Sequence, residues 1–206
     1  FKITGKTYEP YRVFLRPLRD KMRITHRHIE RHLVANKPLN RKKLLSSKED
    51  ILKPLRVIRE SLEQNQSENI ASGELLDLMR RAKCFGINLA KIDIRQESSR
   101  HSQLLAEFLK RNNGSNYLAW DEDKRIKYLS NAIKTNKKTF KNFIFKKKEN
   151  NEVWSTFKIL AEEPPECLGA YVISMTSAAS DILAVYLMQK EANIKNRLRV
   201  VPLFET

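Results

Sequence analysis

The chain is poor in several things that would each have named a function. It has two cysteines in 206 residues, Cys84 and Cys167, too far apart and too few for a metal-ligand spacing. They read as buried, reduced thiols of a cytosolic protein rather than as a disulfide. There are five glycines, and none forms the loop that cradles a nucleotide phosphate. No serine or cysteine sits in a nucleophile elbow, and no internal repeat is evident. No apolar run reaches the roughly 18 residues needed to span a membrane. Acidic residues are also in deficit: 24 against 40 lysines and arginines, a formal net charge of +16.

That excess invites a nucleic-acid reading, as a basic helical binding or interaction module. The basic residues, however, fall on the solvated faces of amphipathic helices and are not interleaved with stacking aromatics. No nucleic-acid partner is expected. His28 and His32 share a helical face at i and i+4. The intervening Ile29-Glu30-Arg31 is not a zinc-protease pattern, and Arg27 and Arg31 would repel a cation.

What is present is a helix-rich α/β pattern. A hydrophobic content of 41% fits a folded chain. Phe14, Leu18, Met22, Ile29 and Leu33 recur at helical spacing from Pro10 to about Ala35. Ile51, Leu55, Ile58 and Leu62 mark a second helix, from about Lys48 to Gln64. Leu75, Leu76, Met79 and Ala82 mark a third, ended by Gly86 as a left-handed cap. Asp121 is placed to cap a helix carrying Ile126, Leu129 and Ile133. Val153, Phe157 and Leu160 mark a helix over about Glu152 to Glu162. Ile182, Leu183, Tyr186 and Leu187 mark another, to about Ala192. Strands are expected near 89–95, 169–175 and 198–205. The last two are joined by a helix and so favour a parallel pair. The expected division is a helical layer over 1–87 and an α/β part over 88–206, with a helical insertion over 112–165. The lysine- and asparagine-rich stretch 134–151 carries no motif.

The chemistry concentrates at two strand ends. In Lys91-Ile92-Asp93-Ile94-Arg95-Gln96-Glu97-Ser98 an alternating pattern gives way to a helix bearing His101, Leu104, Leu105, Phe108 and Leu109. Ser98 or Ser99 is the expected cap. Arg95 would then sit at a strand's carboxyl end, where α/β barrels place their chemistry. Its guanidinium suits two-point contact with a phosphate or carboxylate. The competing reading is a structural ion pair with Asp93 or Glu97. Gln96 and Arg100 are neighbours that would orient Arg95 or close the site. His101 reads as a satisfied interfacial histidine and not as a base. In Arg199-Val200-Val201-Pro202-Leu203-Phe204-Glu205-Thr206 a buried strand delivers a carboxylate, a hard oxygen donor suited to Mg²⁺ or Mn²⁺. Glu205 reads otherwise as a helix-start carboxylate.

These segments, with Glu9-Pro10-Tyr11-Arg12, Ala71-Ser72-Gly73-Glu74-Leu75-Leu76-Asp77, Arg80-Arg81-Ala82-Lys83-Cys84-Phe85-Gly86, Ala170-Tyr171-Val172-Ile173-Ser174-Met175 and Ser180-Asp181-Ile182-Leu183-Ala184-Val185, resemble phosphoenolpyruvate carboxylase, the bacterial form most nearly. The resemblance covers nearly the whole chain and matches a central slice of a protein several times as long. It implies part of a TIM-like (β/α)₈ barrel with extra all-helical layers, of which this slice supplies about three strands.

The activity implied is formation of oxaloacetate and phosphate from phosphoenolpyruvate and bicarbonate, feeding the tricarboxylic acid cycle. Bicarbonate attacks phosphorus to give carboxyphosphate and an enolate; carboxyphosphate yields carbon dioxide, which the enolate captures. The resemblance also implies that Arg95 binds the phosphoryl-bearing substrate and stabilises its charge during transfer. Glu205 would be one of two carboxylate ligands to Mg²⁺ or Mn²⁺. Leu203 would be either part of an apolar wall around the substrate methylene or ordinary barrel filling. The parent would be an allosteric, cytoplasmic homotetramer, and the slice alone would be inactive. A related enolate-forming lyase on a barrel is the nearest alternative enzyme.

Overall fold

The computed structural model describes residues 9–35, 44–135, 139–140 and 142–204. The chain divides into two compact units, Phe1–Ala90 and Lys91–Thr206.

The first unit is helical: α1 (Pro10–Ala35), α2 (Glu49–Gln64), α3 (Glu68–Ser72) and α4 (Glu74–Phe85). α2 buries Leu52, Leu55, Ile58 and Leu62. Leu52, rather than Ile51, therefore begins its stripe. Tyr11, Phe14 and Leu15 of α1 pack on this face with Leu75. The apolar stripe expected along the whole of α1 is used only at its start. Met22, Ile29 and Leu33 are exposed, and the buried residue of the helix is Thr25. The reason is length. Twenty-six residues rise about 39 Å and α2's sixteen about 24 Å, so α1 outruns its support. Thr25 takes a structural role, its Oγ1 accepting the Leu45 N–H at 2.9 Å and donating to the Lys21 carbonyl.

Gly86 ends α4 with a positive φ of 59°, but its ψ of −136° lies outside the left-handed helical well. The glycine is needed there for a different backbone shape than a left-handed cap. Cys84 is exposed and Cys167 half-buried, both free, which corrects the expectation of two buried thiols. Ala82 is the buried position of α4's last turn, and two residues on, at about 200° round the helix, Cys84 faces out.

The second unit runs β1 (Ile92–Glu97), α5 (Ser98–Asn113), α6 (Glu122–Lys134), α7 (Lys148–Glu162), β2 (Leu168–Ser174), α8 (Ala179–Glu191) and β3 (Val200–Pro202), with short 3₁₀ turns at Tyr117–Ala119 and Pro165–Cys167. The three strands form one parallel sheet in the order β1-β2-β3. Ile94, Tyr171, Ile173 and Val200 project from one face into a core with Leu104, Leu105 and Phe108 of α5, Phe157 and Leu160 of α7, and Val185 and Met188 of α8. α8 is apolar on nearly every side. Its buried apolar residues are therefore Ala184, Val185, Leu187 and Met188, while Ile182, Leu183 and Tyr186 are half-buried.

Asp121 caps α6 as expected, accepting the Lys124 N–H at 2.8 Å. Asp121→Ala is expected to cost about 1 kcal/mol, read as a lower urea midpoint at unchanged slope. The motif-free stretch after α6 proves to be pinned by aromatics. Phe140 and Phe145 are buried against Trp154, and Phe140 also packs on Phe108 with ring centroids 4.3 Å apart. Glu191 Oε2 accepts the Phe140 N–H at 2.9 Å, and Glu107 Oε1 accepts the Lys146 N–H at 2.6 Å. The Glu107 carboxyl loses some solvation by burial. Bonds from Asn150, Lys146, Lys147 and Arg111 outweigh that loss and hold its pKa below the usual carboxylate range.

Candidate functional site

β1 begins and ends later than its sequence pattern indicated, at Ile92–Glu97 rather than 89–95, so Arg95 stands two residues before the strand's end. Alternation sends Asp93, Arg95 and Glu97 to one face and Ile94 and Gln96 to the other. In register with Arg95 stand Val172 of β2 and Val201 of β3; Glu97 pairs with Ser174. Paired residues of a parallel ladder share a face, so Arg95, Val172, Val201 and Ser174 line the side opposite the core helices. Leu203, two residues beyond Val201, continues that line at the carboxyl end. Its backbone extends the ladder, the Leu203 N–H donating to Ile173 O at 2.8 Å.

Three further bonds lace these strand ends together. The Ser98 hydroxyl donates to Met175 O at 2.7 Å, the Thr176 N–H to Leu203 O at 3.1 Å, and the Thr176 hydroxyl to Ile173 O at 3.0 Å. Ser98 is thus spent on the residue that follows β2 and does not cap α5. The cap position is Glu97, with no side-chain cap bond. Ser99 donates to Glu97 Oε1 at 2.6 Å.

The charged row of β1 decides how Arg95 can act. Asp93 Oδ1 accepts the Ala170 N–H at 2.6 Å, and Glu97 is held by Ser99. Among the described residues Arg95 has no carboxylate partner, and its side chain is exposed. The structural ion pair with Asp93 or Glu97 is therefore not formed. No carboxylate among the described residues occupies its fork of donors.

Gln96 faces away from Arg95 and folds onto its own strand, its Oε1 accepting the Glu97 N–H at 3.0 Å. Glu205 lies outside the described residues. Among the described residues no three potential metal ligands gather, and no helix is long and apolar enough to cross a membrane.

His101 is fully buried, with Nε2 2.8 Å from the Tyr171 hydroxyl. Its Nδ1 has no partner among the described residues, so it is only half satisfied. Burial pushes its pKa down to about 3 and that of Tyr171 up. It lies among core rings on the helix side of the sheet, away from the Arg95 face.

Residues 3–206 match the family model described as phosphoenolpyruvate carboxylase. The chain belongs to that family. It is 39% identical to the phosphoenolpyruvate carboxylase of Acinetobacter baumannii over 205 residues, covering 96% of this chain and 23% of the relative. It is 41% identical to that of Flaveria pringlei over 199 residues, covering 96% and 20%. Phosphoenolpyruvate carboxylase 3 of Arabidopsis thaliana is 40% identical over 200 residues, covering 96% and 21%. The chain thus spans about a fifth of the length of its carboxylase relatives. What it holds of a carboxylase is one helical unit and one three-stranded parallel unit.

The charged row on β1 was legible in the sequence, as was Arg95 itself. The clamp from Asp93 to Ala170 was not, because its partner lies 77 residues away. Gly169, which has no side chain to obstruct that clamp, was the available hint.

Proposed function

We propose that this chain is part of the catalytic barrel of an enzyme that carboxylates phosphoenolpyruvate with bicarbonate, giving oxaloacetate and phosphate. The observation that carries this reading is the exposed Arg95, without a carboxylate partner among the described residues, on the face of a parallel sheet away from its helices, next to the sheet's carboxyl edge. Parallel sheets are normally covered on both faces. Among the elements of this unit, helices cover only the face opposite Arg95. A closed (β/α)₈ barrel supplies the missing cover by curving the sheet onto itself, with this chain giving three of its strands.

In this reading Arg95 grips the phosphoryl oxygens by two parallel N–H bonds. It neutralises part of the charge that must be stabilised as phosphorus is attacked. Leu203 lies two strands away, about 10 Å between strand axes, and on the same face. That separation suits an apolar wall beside a three-carbon substrate held by Arg95. Glu205 would hold Mg²⁺ or Mn²⁺. The donor chemistry fits, since Mg²⁺ takes one or two protein carboxylates and completes its octahedron with water and substrate. Such an ion supplies a hard positive charge for oxygen that becomes anionic. The net positive charge of the chain favours these anionic substrates. The cytoplasm, a homotetrameric parent and the absence of a nucleic-acid role belong to the same proposal.

The test is oxaloacetate formation with phosphoenolpyruvate, bicarbonate and Mg²⁺. The intact carboxylase carrying these residues is expected to turn over. Its Arg95→Ala form should lose about 10²- to 10³-fold in kcat/KM. The isolated 206-residue chain is expected to give none. Turnover by the isolated chain, or an Arg95→Ala enzyme of normal activity, would contradict the proposal.

A further inference from the structure

We infer that Asp93 is a positioning residue: its carboxylate clamps a bulge between β1 and β2 and thereby sets where Arg95 stands, with its guanidinium facing no carboxylate partner among the described residues. This rests on the substrate-binding role proposed for Arg95.

The β1–β2 ladder is irregular at one place. Ile92 pairs with Leu168, but Ile94 pairs with Tyr171, so two residues of β2, Gly169 and Ala170, stand opposite Asp93 alone. Bulges are rare in parallel pairs, and each re-aims the side chains beyond it. At this bulge the Asp93 side chain takes the acceptor's part. Its Oδ1 receives the Ala170 N–H at 2.6 Å, and Ala170 is buried. The room for it exists because residue 169 is glycine. A Cβ there would lie 2.1 Å from Asp93 Oδ1.

Two consequences reach Arg95. Beyond the bulge the register is fixed as Ile94 to Tyr171, Arg95 to Val172 and Glu97 to Ser174. A slip by one residue would carry Arg95 onto the helix side of the sheet. In addition, a carboxylate two residues from Arg95 on the same face is its obvious ion-pair partner. The bond to Ala170 turns that carboxylate toward β2. Glu97, the other candidate, is turned toward Ser99 at the start of α5.

The clamp needs an acceptor oxygen at Oδ1 and not a negative charge, so the amide should replace the acid. In the 206-residue chain, hydrogen exchange of the Ala170 amide reads the clamp directly. Asp93→Asn should keep its protection, and Asp93→Ala should lose at least about tenfold. In the intact carboxylase, Asp93→Ala and Gly169→Ala should each raise the KM for phosphoenolpyruvate about tenfold or more, with Asp93→Asn close to wild type. If Gly169→Ala does not fold, the Asp93→Ala and Asp93→Asn pair decides alone. An Asn variant as impaired as the Ala variant, or an Ala variant with normal exchange and KM, overturns the inference. Arg95→Ala separates the two proposals: if it leaves KM unchanged the substrate role of Arg95 fails, whatever the amide at Ala170 reports.

Discussion

Acidifying the chain from pH 7 to pH 4 is expected to remove roughly 3 kcal/mol from the stability of the Lys91–Thr206 unit through His101 alone. The imidazole is buried with its pKa pushed down to about 3, while in the unfolded chain it titrates near its ordinary value of 6.5. Between those values the unfolded state binds a proton that the folded state refuses. Stability therefore falls as pH falls, by about 1.4 kcal/mol per pH unit over the middle of the window, and is fully present above pH 6.5. Glu107 acts in the same direction, but only below the ordinary carboxylate range, because its pKa is lowered from 4.5. The interval from pH 6 to 5 thus isolates the histidine. Urea unfolding across that interval, in the wild type and in His101→Gln, is the measurement. The glutamine amide can still meet the Tyr171 hydroxyl but cannot take up the proton. The slope should be present in the first and absent in the second. A wild-type stability flat from pH 6.5 to 5 would show that His101 is solvated or charged in the folded state.

Phe157→Ala is expected to cost about 3–5 kcal/mol, comparable with much of what holds a unit of this size together. The ring is fully buried and stacks on Tyr171 at 5.1 Å with an interplanar angle of 16°. It also meets the edge of His101 at 6.3 Å. The vacancy would lie between α7 and β2, where the rigid sheet cannot follow the missing ring. Neither Tyr171 nor His101 can move in without giving up their 2.8 Å bond. The urea midpoint should drop at unchanged slope. Phe157→Leu should recover most of the loss, because it restores apolar volume without the stack. Because Tyr171 precedes Val172, the in-register neighbour of Arg95, the same vacancy should loosen the Arg95 face.

Helices were the most legible part of the fold. α1 begins at Pro10, α7 buries the stripe its spacing dictates, α2 does so at all but the first position, and Asp121 caps α6, because these are decided within a few residues of chain. Errors came where a decision belonged to a distant neighbour. The stripe of α1 is apolar along its length, but only its first turns find α2. The lysine-rich stretch looked featureless until Phe140 and Phe145 met Phe108 and Trp154 across the core. Ser98 has the right chemistry for a cap, yet the end of β2 competes for its hydroxyl and wins.

By itself the sequence determined the parallel pairing of β2 with β3, the arginine on β1 and the family to which the chain belongs. Those are recorded in local alternation, helix-length connections and matching segments in order. Only the tertiary structure decided that Arg95 has no carboxylate partner among the described residues. That depends on where two neighbouring carboxylates send their oxygens: Glu97 to the hydroxyl of Ser99 in the next helical turn, and Asp93 to an amide 77 residues along the chain. For Asp93 the bond to the amide of buried Ala170 takes precedence over an exposed ion pair, because that amide has no water to fall back on and the guanidinium does.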